Sequence, residues 1–579
     1  MNYSTMLGKH WLGKSIAALA FMLTFASFVG TEAYAQNEMM VESGFGTLND
    51  AIEGDTLADG SRMNPDRIYV LERGGRYVVN GRVKHSGGYH LQVVAAEGDG
   101  PPPVVQPGVR ADGSSDNHNF EFLGDFTLRG LWLLNHDDGG TRKSRGLLVN
   151  TAGITGVVDN CIYEVGSWLG MRINVDSTHI VVKNSIIRNL INTGDPGNGK
   201  FIDPRSNDPG SLYFENNTFY NMTSEIVRES GGFHENFFFN HNTVYNVAAL
   251  SRNDARVHKS RIMNGTFTNN MFVNLAPLGD ITTDFDFFGG AVTDPPDIGA
   301  LFPLDSLNAE DLGYAETDRD VRITNNNIFW DQELIDFYAT KDTVDALSIM
   351  SPLAQAQIAE GLVVFENNLE VDPGLTAPPD VANAVNYANQ WYANFCAAVN
   401  DEIPAVCDFS TSNGGFVPAD ASGIIPGNPW PLPEDFSYDT ASPAYTGATG
   451  GFPIGDLNWF PEAKAAWEAA GGGTGVIVSN ESESEIPEGF KLHGNFPNPF
   501  NPTTNIILDL VSPSEVTVRV FDLLGRNVLT LNKQQMQAGT QQAINIDASA
   551  LASGVYIYQV AAQTGANTFI ESGKMILLK

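Results

Sequence analysis

Four arginines are spaced so that a repeating backbone would bring them into one line. Ile202, Ile226 and Leu250 are 24 residues apart, and each is followed within three residues by an arginine. If such a step is one coil of a repeat, equivalent positions stack along the molecule. The expected exposed stripe contains Arg172, Arg205, Arg228 and Arg252, with Lys200, Arg256, His258 and Lys259 contributed by adjoining loops.

A stripe of this kind has the chemistry to bind carboxylates. A guanidinium group holds a carboxylate through two parallel hydrogen bonds, which favours Arg172, Arg205 and the neighbouring cations as substrate-binding groups. Arginine normally stays protonated, so Lys259 or His258 is the more suitable base. Arg228 and Arg252 are the arginines expected to act at the reacting sugar.

Carboxylates in the same stretch could hold a calcium ion, because Ca²⁺ prefers oxygen ligands. The candidate metal ligands are Asp203, Asp208, Glu225, Glu229 and Asp254. Two other interpretations stay open. Arg228 with Glu229, and Arg252 with Asp254, could be ordinary surface ion pairs, and Asp203 with Glu229 could be the carboxylate pair of a glycoside hydrolase.

The elements that must position these residues are short repeated strands. Seven segments share an apolar strand, an asparagine turn and a second apolar strand: 157–163, 181–187, 213–219, 238–244, 266–272, 322–328 and 363–369. Asparagine suits such a turn because it tolerates left-handed backbone angles, and stacked Asn side chains can hydrogen-bond to one another. His241 replaces Asn at one turn and is expected to be structural. Stacked strands share one core and one hydrogen-bond ladder, so the pattern predicts a parallel β-helix.

The start of this region supports the same interpretation. Residues 46–52, followed by the apolar runs 68–71 and 77–79, resemble the capping start of pectate-lyase-like right-handed parallel β-helices. The body is expected to span residues 43–375, with an acidic, Pro-rich insertion near 279–318. Residues 331–360 are predicted to be helical.

The chain after the repeats changes composition twice. Residues 376–470 are rich in Pro and aromatic residues and are interpreted as a cap or side-wrapping segment. Residues 471–488 are Gly-rich and then acidic, which is typical of a flexible linker.

Both ends carry transport signals. At the N-terminus, Lys9 and Lys14 flank an apolar run that ends in a small-residue cleavage pattern, so residues 1–36 are predicted to be a signal peptide. No later stretch is long and apolar enough for a bilayer-spanning helix, so no integral membrane segment is expected in the mature chain.

The C-terminal residues 489–579 resemble the type A sorting domain of the type IX secretion system. The resemblance rests on three motifs in order: Asn495–Thr504, Val516–Arg526 and Ala552–Tyr556. It implies handling by the type IX machinery and a secreted or surface-attached protein of a Gram-negative bacterium of the Bacteroidetes type. Alternating apolar residues predict a small antiparallel sandwich here. The expected fold class is thus all-β: a right-handed parallel β-helix followed by a small Ig-like β-sandwich.

The amino-acid composition restricts the kinds of partner that the protein can bind. The formal net charge of −35 argues against nucleic acid, because phosphate contacts need clustered basic side chains. Only three cysteines are present, which excludes a disulfide scaffold, and Cys161 is expected to be a buried thiol.

The resemblance to pectate-lyase-like proteins implies an anionic polysaccharide as partner and β-elimination of a polyuronate as the reaction. The catalytic motifs of the main pectate lyase and polygalacturonase families are absent, however, so the fold alone does not confer this activity. A non-catalytic polysaccharide-binding adhesin or surface protein is the alternative function, and a glycoside hydrolase is a further one.

Overall fold

The computed structural model describes, apart from a few single positions, residues 37–190, 198–228, 234–252, 261–275, 300–302, 315–340, 348–382 and 430–473, and most of 490–579. The predicted signal peptide, most of the expected insertion near 279–318 and most of the predicted linker lie outside the described residues. The chain divides into two compact units, Met1–Val478 and Ser479–Lys579.

The first unit is built on a parallel β-helix, and one face of it is an eleven-stranded sheet in which all neighbours pair in parallel. Its strands in spatial order are β1 (Glu38–Val41), β3 (Ile68–Leu71), β6 (Leu91–Ala95), β9 (Phe126–Arg129), β12 (Thr155–Asp159), β15 (His179–Lys183), β18 (Ser211–Glu215), β20 (His234–Asn240), β22 (Ile262–Thr268), β25 (Asp320–Thr324) and β28 (Val363–Glu366). The ladder therefore starts five residues earlier than the start expected from the sequence.

A second sheet forms the remaining faces. One run of it contains β2 (Gly44–Phe45), β4 (Arg76–Val79), β7 (Val104–Pro107), β10 (Trp132–Leu134), β13 (Ile162–Glu164), β16 (Ile186–Leu190), β19 (Thr218–Arg228), β21 (Thr243–Arg252), β23 (Met271–Val273) and β26 (Asn327–Phe329). The other run contains β5 (Val83–Lys84), β8 (Phe120–Phe122), β11 (Leu147–Val149), β14 (Leu169–Ile173) and β17 (Lys200–Asp203). The two runs meet because the long strands β19 and β21 serve both.

The turn between the first face and the second is made by one residue in the left-handed region. In successive coils this residue is Asn160, Asn184, Asn216, His241, Asn269, Asn325 or Asn367, with φ between 51° and 61°. Asparagine adopts this conformation with little strain. The asparagine turns predicted within the seven repeated segments are confirmed.

From the Asn216 turn onwards, the residue after each turn belongs to an asparagine ladder. Asn217 donates to Asn242 at 2.9 Å, Asn242 to Asn270 at 3.2 Å, Asn270 to Asn326 at 3.0 Å and Asn326 to Asn368 at 2.9 Å. Each side-chain oxygen also accepts from the backbone N–H of the preceding coil's ladder residue. The ladder thus satisfies polar groups that would otherwise be buried without partners.

Inside the coils, aromatic and aliphatic side chains form one continuous core. Phe214, Phe239 and Phe267 follow each other along the interior with ring centroids 5.5 and 6.4 Å apart. Cys161 is a buried free thiol, as predicted, and burial raises its pKa to about 12.

The N-terminal end of the β-helix is covered by helix α1 (Thr47–Gly54), whose Leu48 and Ile52 are buried in the core. At the other end lie α2 (Gln332–Ala339) and α3 (Pro352–Glu360), together with the small parallel pair β24 (Ala300–Phe302) and β27 (Ser348–Met350). A 3₁₀ turn spans Glu316–Asp318. Residues predicted to be helical between 331 and 360 therefore include one short strand.

Residues 430–473 pack against the outside of the second sheet. This segment contains β30 (Asp435–Tyr438), which pairs antiparallel with β29 (Leu375–Ala377), 3₁₀ turns at Pro443–Thr446 and Leu457–Trp459, and α4 (Pro461–Ala469). Phe436 lies 5.3 Å from Tyr220 and 5.8 Å from Tyr245, measured between ring centroids. His241, at its turn position, contacts the same segment through Gly455 and Trp467.

The second unit consists of antiparallel strands with their own apolar core. One sheet has the order β31 (Phe490–Phe496), β32 (Thr503–Leu510), β35 (Gly539–Asp547). The other has the order β34 (Asn527–Met536), β33 (Ser514–Phe521), β36 (Gly554–Thr564), β37 (Asn567–Leu577). In the described part of the chain, no helix has the length and apolarity needed to cross a bilayer.

Candidate functional site

One lateral position of the β-helix carries polar side chains from coil to coil. Strand pairing aligns Lys84 with Glu121, Glu121 with Leu148, Leu148 with Arg172, and Arg172 with Asp203. Because Ile202 pairs with Val227, the next residue in line is Arg228. Side chains alternate between the two faces of a strand, and the flanking residues, such as Leu147 and Met171, lie in the core. We call these six aligned residues the outward row.

At the C-terminal half of the outward row, two arginines share one carboxylate. Arg172 Nη2 lies 3.4 Å from Asp203 Oδ2, and Arg228 Nη1 lies 3.7 Å from the same oxygen. Asp203 is fully buried, and its other oxygen accepts a hydrogen bond from the backbone N–H of Arg205 at 2.9 Å. The carboxylate of Asp203 therefore holds Arg172, Arg228 and the backbone of Arg205 in place.

Trp168 gathers further arginines at the same place. The guanidinium carbons of Arg145, Arg172 and Arg205 lie 4.3, 5.5 and 5.9 Å from the centre of its ring. Cations are attracted to the negative face of an indole, so the ring offsets part of the repulsion among them. We call Arg145, Arg172, Arg205 and Arg228, with Asp203 and Trp168, the arginine cluster.

The arginine cluster carries excess positive charge. It combines four guanidinium groups with one carboxylate, so its formal charge is +3 within a chain whose formal net charge is −35. Burial lowers the pKa of Arg172 to about 10, although Asp203 opposes this shift, and the nearby Arg205, Arg145 and Arg228 lower it further. The pKa of Arg145 is also lowered, by burial and by Arg205.

Several donors of the arginine cluster are buried without a hydrogen-bond partner among the described residues. They are Nε and Nη2 of Arg172, Nε of Arg145 and Nε1 of Trp168. A buried donor without a partner is unfavourable, so a ligand that provides an acceptor lowers the free energy of the complex. The arrangement can thus receive the oxygens of an anion such as a carboxylate.

The structure corrects the expected stripe in two respects. Ile226 pairs in register with Leu250, as expected, but Ile202 pairs with Val227 instead of Ile226. Asp203 rather than Arg205 therefore occupies the row, and Arg205 lies in a turn with φ 57°. β19 contains one extra residue relative to β21 between Met222 and Glu225, the signature of a β-bulge.

The second correction concerns exposure. Arg205 is exposed, as predicted for the stripe, whereas Arg172 is only 4% exposed and Lys200 is fully buried. Lys200 belongs to strand β17, not to a loop, and donates to Asn198 at 3.0 Å. The described arginines form a compact cluster instead of a flat line.

The remaining predicted residues are only partly described. Arg252 aligns with Arg228 through its backbone, and its side chain lies outside the described part, as do Arg256, His258, Lys259, Glu229 and Asp254. Glu225 is buried beside Ser224, and Asp208 donates its backbone N–H to Asp176 at 2.8 Å. No three His, Cys, Asp or Glu side chains are grouped as metal ligands among the residues that the structure describes. The calcium site and the base stay predictions.

Sequence reasoning did not find Arg145 and Trp168. The sequence does contain a signal for Arg145. Leu147 lies 24 residues before Met171, which is another step of the same length, and the two residues pair. Extending the spacing one coil towards the N-terminus would have included the arginine two positions before Leu147. Trp168 lies just before β14, and no repeat marks it.

Comparison with known proteins identifies a family in the C-terminal region. The family described as secretion system C-terminal sorting domain matches residues 495–571. No curated protein matches the chain. Among solved structures, dimeric latent PorU from Porphyromonas gingivalis is 21% identical over 15% of this chain, with a TM-score of 0.14. This chain covers 9% of that protein's length.

Proposed function

We propose that this protein, which the type IX secretion system exports to the surface of a Bacteroidetes cell, binds an anionic polysaccharide at its arginine cluster. The observation that carries the proposal is the convergence of four guanidinium groups beside the single carboxylate of Asp203. The cluster has more cations than counter-charges, and Arg172 among them is buried, which favours an anionic ligand because the ligand returns charge compensation that burial removed.

A polymer suits the position of this cluster. A solenoid offers one lateral position once per coil, so a ligand that is itself a repeating chain can be bound along several coils. The cluster lies on such a row, and Arg228 at its edge is partly exposed. Uronate carboxylates match the planar fork of arginine.

The enzymatic form of this proposal is a polysaccharide lyase. In β-elimination, Arg172 and Arg228 would neutralise the uronate carboxylate, which acidifies the adjacent C–H. Lys259 or His258 would take that proton, the electron pair would form the new C=C bond, and the glycosidic oxygen would leave with a proton from solvent. A calcium ion held by Asp208, Glu225, Glu229 or Asp254 would add to the neutralisation.

The described geometry favours this reaction over glycoside hydrolysis. A hydrolase needs one carboxylic acid that can donate a proton to the leaving oxygen. Asp203 is fully buried, its Oδ1 accepts the backbone N–H of Arg205, and its Oδ2 lies 3.4 Å from Arg172 Nη2 and 3.7 Å from Arg228 Nη1. Asp203 is therefore placed to position the arginines.

The test incubates the purified protein with a panel of polyuronates, with and without calcium, and follows the ultraviolet absorbance of unsaturated uronate. A rise that Arg228→Ala or Lys259→Ala abolishes supports a lyase. Binding that needs Arg228, without a rise, supports the non-catalytic surface-binding function. Absence of both binding and a rise across the panel would overturn the proposal.

A further inference from the structure

A cleft lies at the N-terminal end of the outward row. It has a volume of about 710 Å³, within the usual range for ligand pockets. Lys84 and Glu121 line it and are also the first two residues of the row. The cleft therefore opens onto the face that carries the arginine cluster.

The distance between the two features follows from the strand ladder. Lys84 and Arg172 are three strand spacings apart, which is about 14 Å at roughly 4.8 Å per spacing. Arg228 is two spacings beyond Arg172, so the row from Lys84 to Arg228 is about 24 Å long. An extended oligosaccharide can contact both ends at once.

The charge of the cleft differs from that of the arginine cluster. Its lining includes three cations, Arg82, Lys84 and Arg110, and three carboxylates, Glu53, Asp116 and Glu121, so the formal charges cancel.

Arg82 is the ion-pair partner of two of those carboxylates, Asp116 at 3.0 Å and Glu121 at 3.3 Å. Lys84 is exposed and forms no hydrogen bond or ion pair with the described residues. A balanced, polar cleft with a free donor suits hydroxyl groups and does not demand a charged ligand.

Between the two ends, the outward row is apolar. Leu148 is the rung between Glu121 and Arg172 and is 7% exposed. Beside it, Asn150 donates to Glu121 at 2.7 Å and accepts from the exposed Asn174 at 2.8 Å. The amides of Asn150 and Asn174 can hydrogen-bond to the hydroxyl groups of a sugar that lies across this rung.

We infer that the cleft is a second subsite of the same groove, which takes neutral, hydroxyl-bearing sugars. This inference rests on the proposed function, because it uses the arginine cluster as the anionic subsite. The ligand is then a glycan in which charged and neutral sugars follow each other within a few residues, not a uniform polyuronate.

Calorimetric titration of the purified protein tests this inference with glucuronoxylan, which has a neutral chain with sparse uronates, and with polygalacturonate. We expect glucuronoxylan to bind more tightly. Lys84→Ala should weaken glucuronoxylan binding about tenfold or more, the effect of one lost hydrogen bond to a charged group, and leave polygalacturonate binding unchanged. Arg228→Ala should weaken both. Arg322→Ala, which removes an exposed arginine from β25, is the matched control and should change neither.

Equal effects of Lys84→Ala on both polymers, or no effect on either, would overturn the inference. Failure of the proposed function gives a different result, in which neither polymer binds the unmodified protein. In that case, neutral hexasaccharides of xylan, glucan and galactan type test the cleft by itself. If the hexasaccharides bind and Lys84→Ala weakens that binding, the cleft is a neutral-sugar site. If they do not bind, the cleft is not such a site.

Discussion

Arg172 and Asp203 occupy paired positions on the neighbouring strands β14 and β17, with Nη2 and Oδ2 3.4 Å apart. Both side chains are almost completely buried. A buried ion pair is a weak source of net stability, since desolvation of the two charges offsets their attraction, whereas loss of one partner leaves a charge uncompensated. The pair is therefore expected to add little net stability, whereas loss of Asp203 alone should be costly.

Replacing Asp203 by Asn should lower the free energy of unfolding. The change leaves Arg172 and Arg228 near each other without their shared carboxylate, which costs on the order of 3–5 kcal/mol for a buried pair. Denaturant unfolding measures the effect. Asp320→Asn is the control, because Asp320 pairs with Arg322 where both side chains are 56% exposed. Equal losses for the two variants would contradict this account.

Removing Arg228 should weaken polyuronate binding and spare the fold. Arg228 is partly exposed, and Asp203 keeps Arg172 as a partner in its absence. One lost charge-assisted hydrogen bond corresponds to a decrease in affinity of about tenfold to a hundredfold. Calorimetry with Arg228→Ala and Arg322→Ala measures it. An unchanged affinity, with the melting temperature retained, would remove Arg228 from the binding surface.

The fold could be predicted from the sequence because its signal is local and repeated. Asn184 and Asn216 each stand between two apolar runs, and the left-handed turn they make depends on those few residues alone. A stacked ladder follows from repetition of the same unit.

The site could be predicted only in part, because its register depends on long-range contacts. The spacing predicted Arg172 and Arg228 on the same face, but it did not predict that Asp203 pairs with Arg172 or that the register of β19 aligns Arg228 with Asp203. The packing of residues 430–473 likewise depends on contacts such as that of Thr218 with Asp456, 238 residues away. No local pattern encodes a pairing at that distance.

The asparagine ladder should be a stabilising polar feature of the β-helix. Asn242 accepts from Asn217, donates to Asn270 and is fully buried. Asn242→Ala removes the acceptor of the buried Asn217 backbone N–H, at a cost of about 1–3 kcal/mol, whereas Asn270 keeps the backbone N–H of residue 242 as a donor. Unfolding in urea, compared with Asn174→Ala, measures the difference. Asn174 makes a similar amide contact with Asn150 but is exposed, so its loss should cost less than about 0.5 kcal/mol. A similar cost at both positions would show that the ladder is not a stabilising unit.

The contact of residues 430–473 with the β-helix should depend on pH through Asp456. Burial raises the pKa of Asp456 to about 7, although hydrogen bonds from Asn458 and Thr218 oppose the shift. A carboxyl whose pKa is higher in the folded state than in the unfolded chain binds more protons when folded. Its contribution to stability is therefore greatest below the unfolded pKa near 4 and decreases as pH rises towards 7.

This pH dependence can be isolated with Asp456→Asn, which removes the titrating group and keeps most of its size and one acceptor oxygen. Melting temperatures are measured for both proteins at pH 5 and pH 8. All other titrating groups contribute equally to both proteins, so the loss of stability between pH 5 and pH 8 should be larger in the unmodified protein. Asp435→Asn, in the same segment, is the control and should retain the full loss. An equal or smaller loss in the unmodified protein would mean that Asp456 titrates at its ordinary pKa and does not couple this contact to pH.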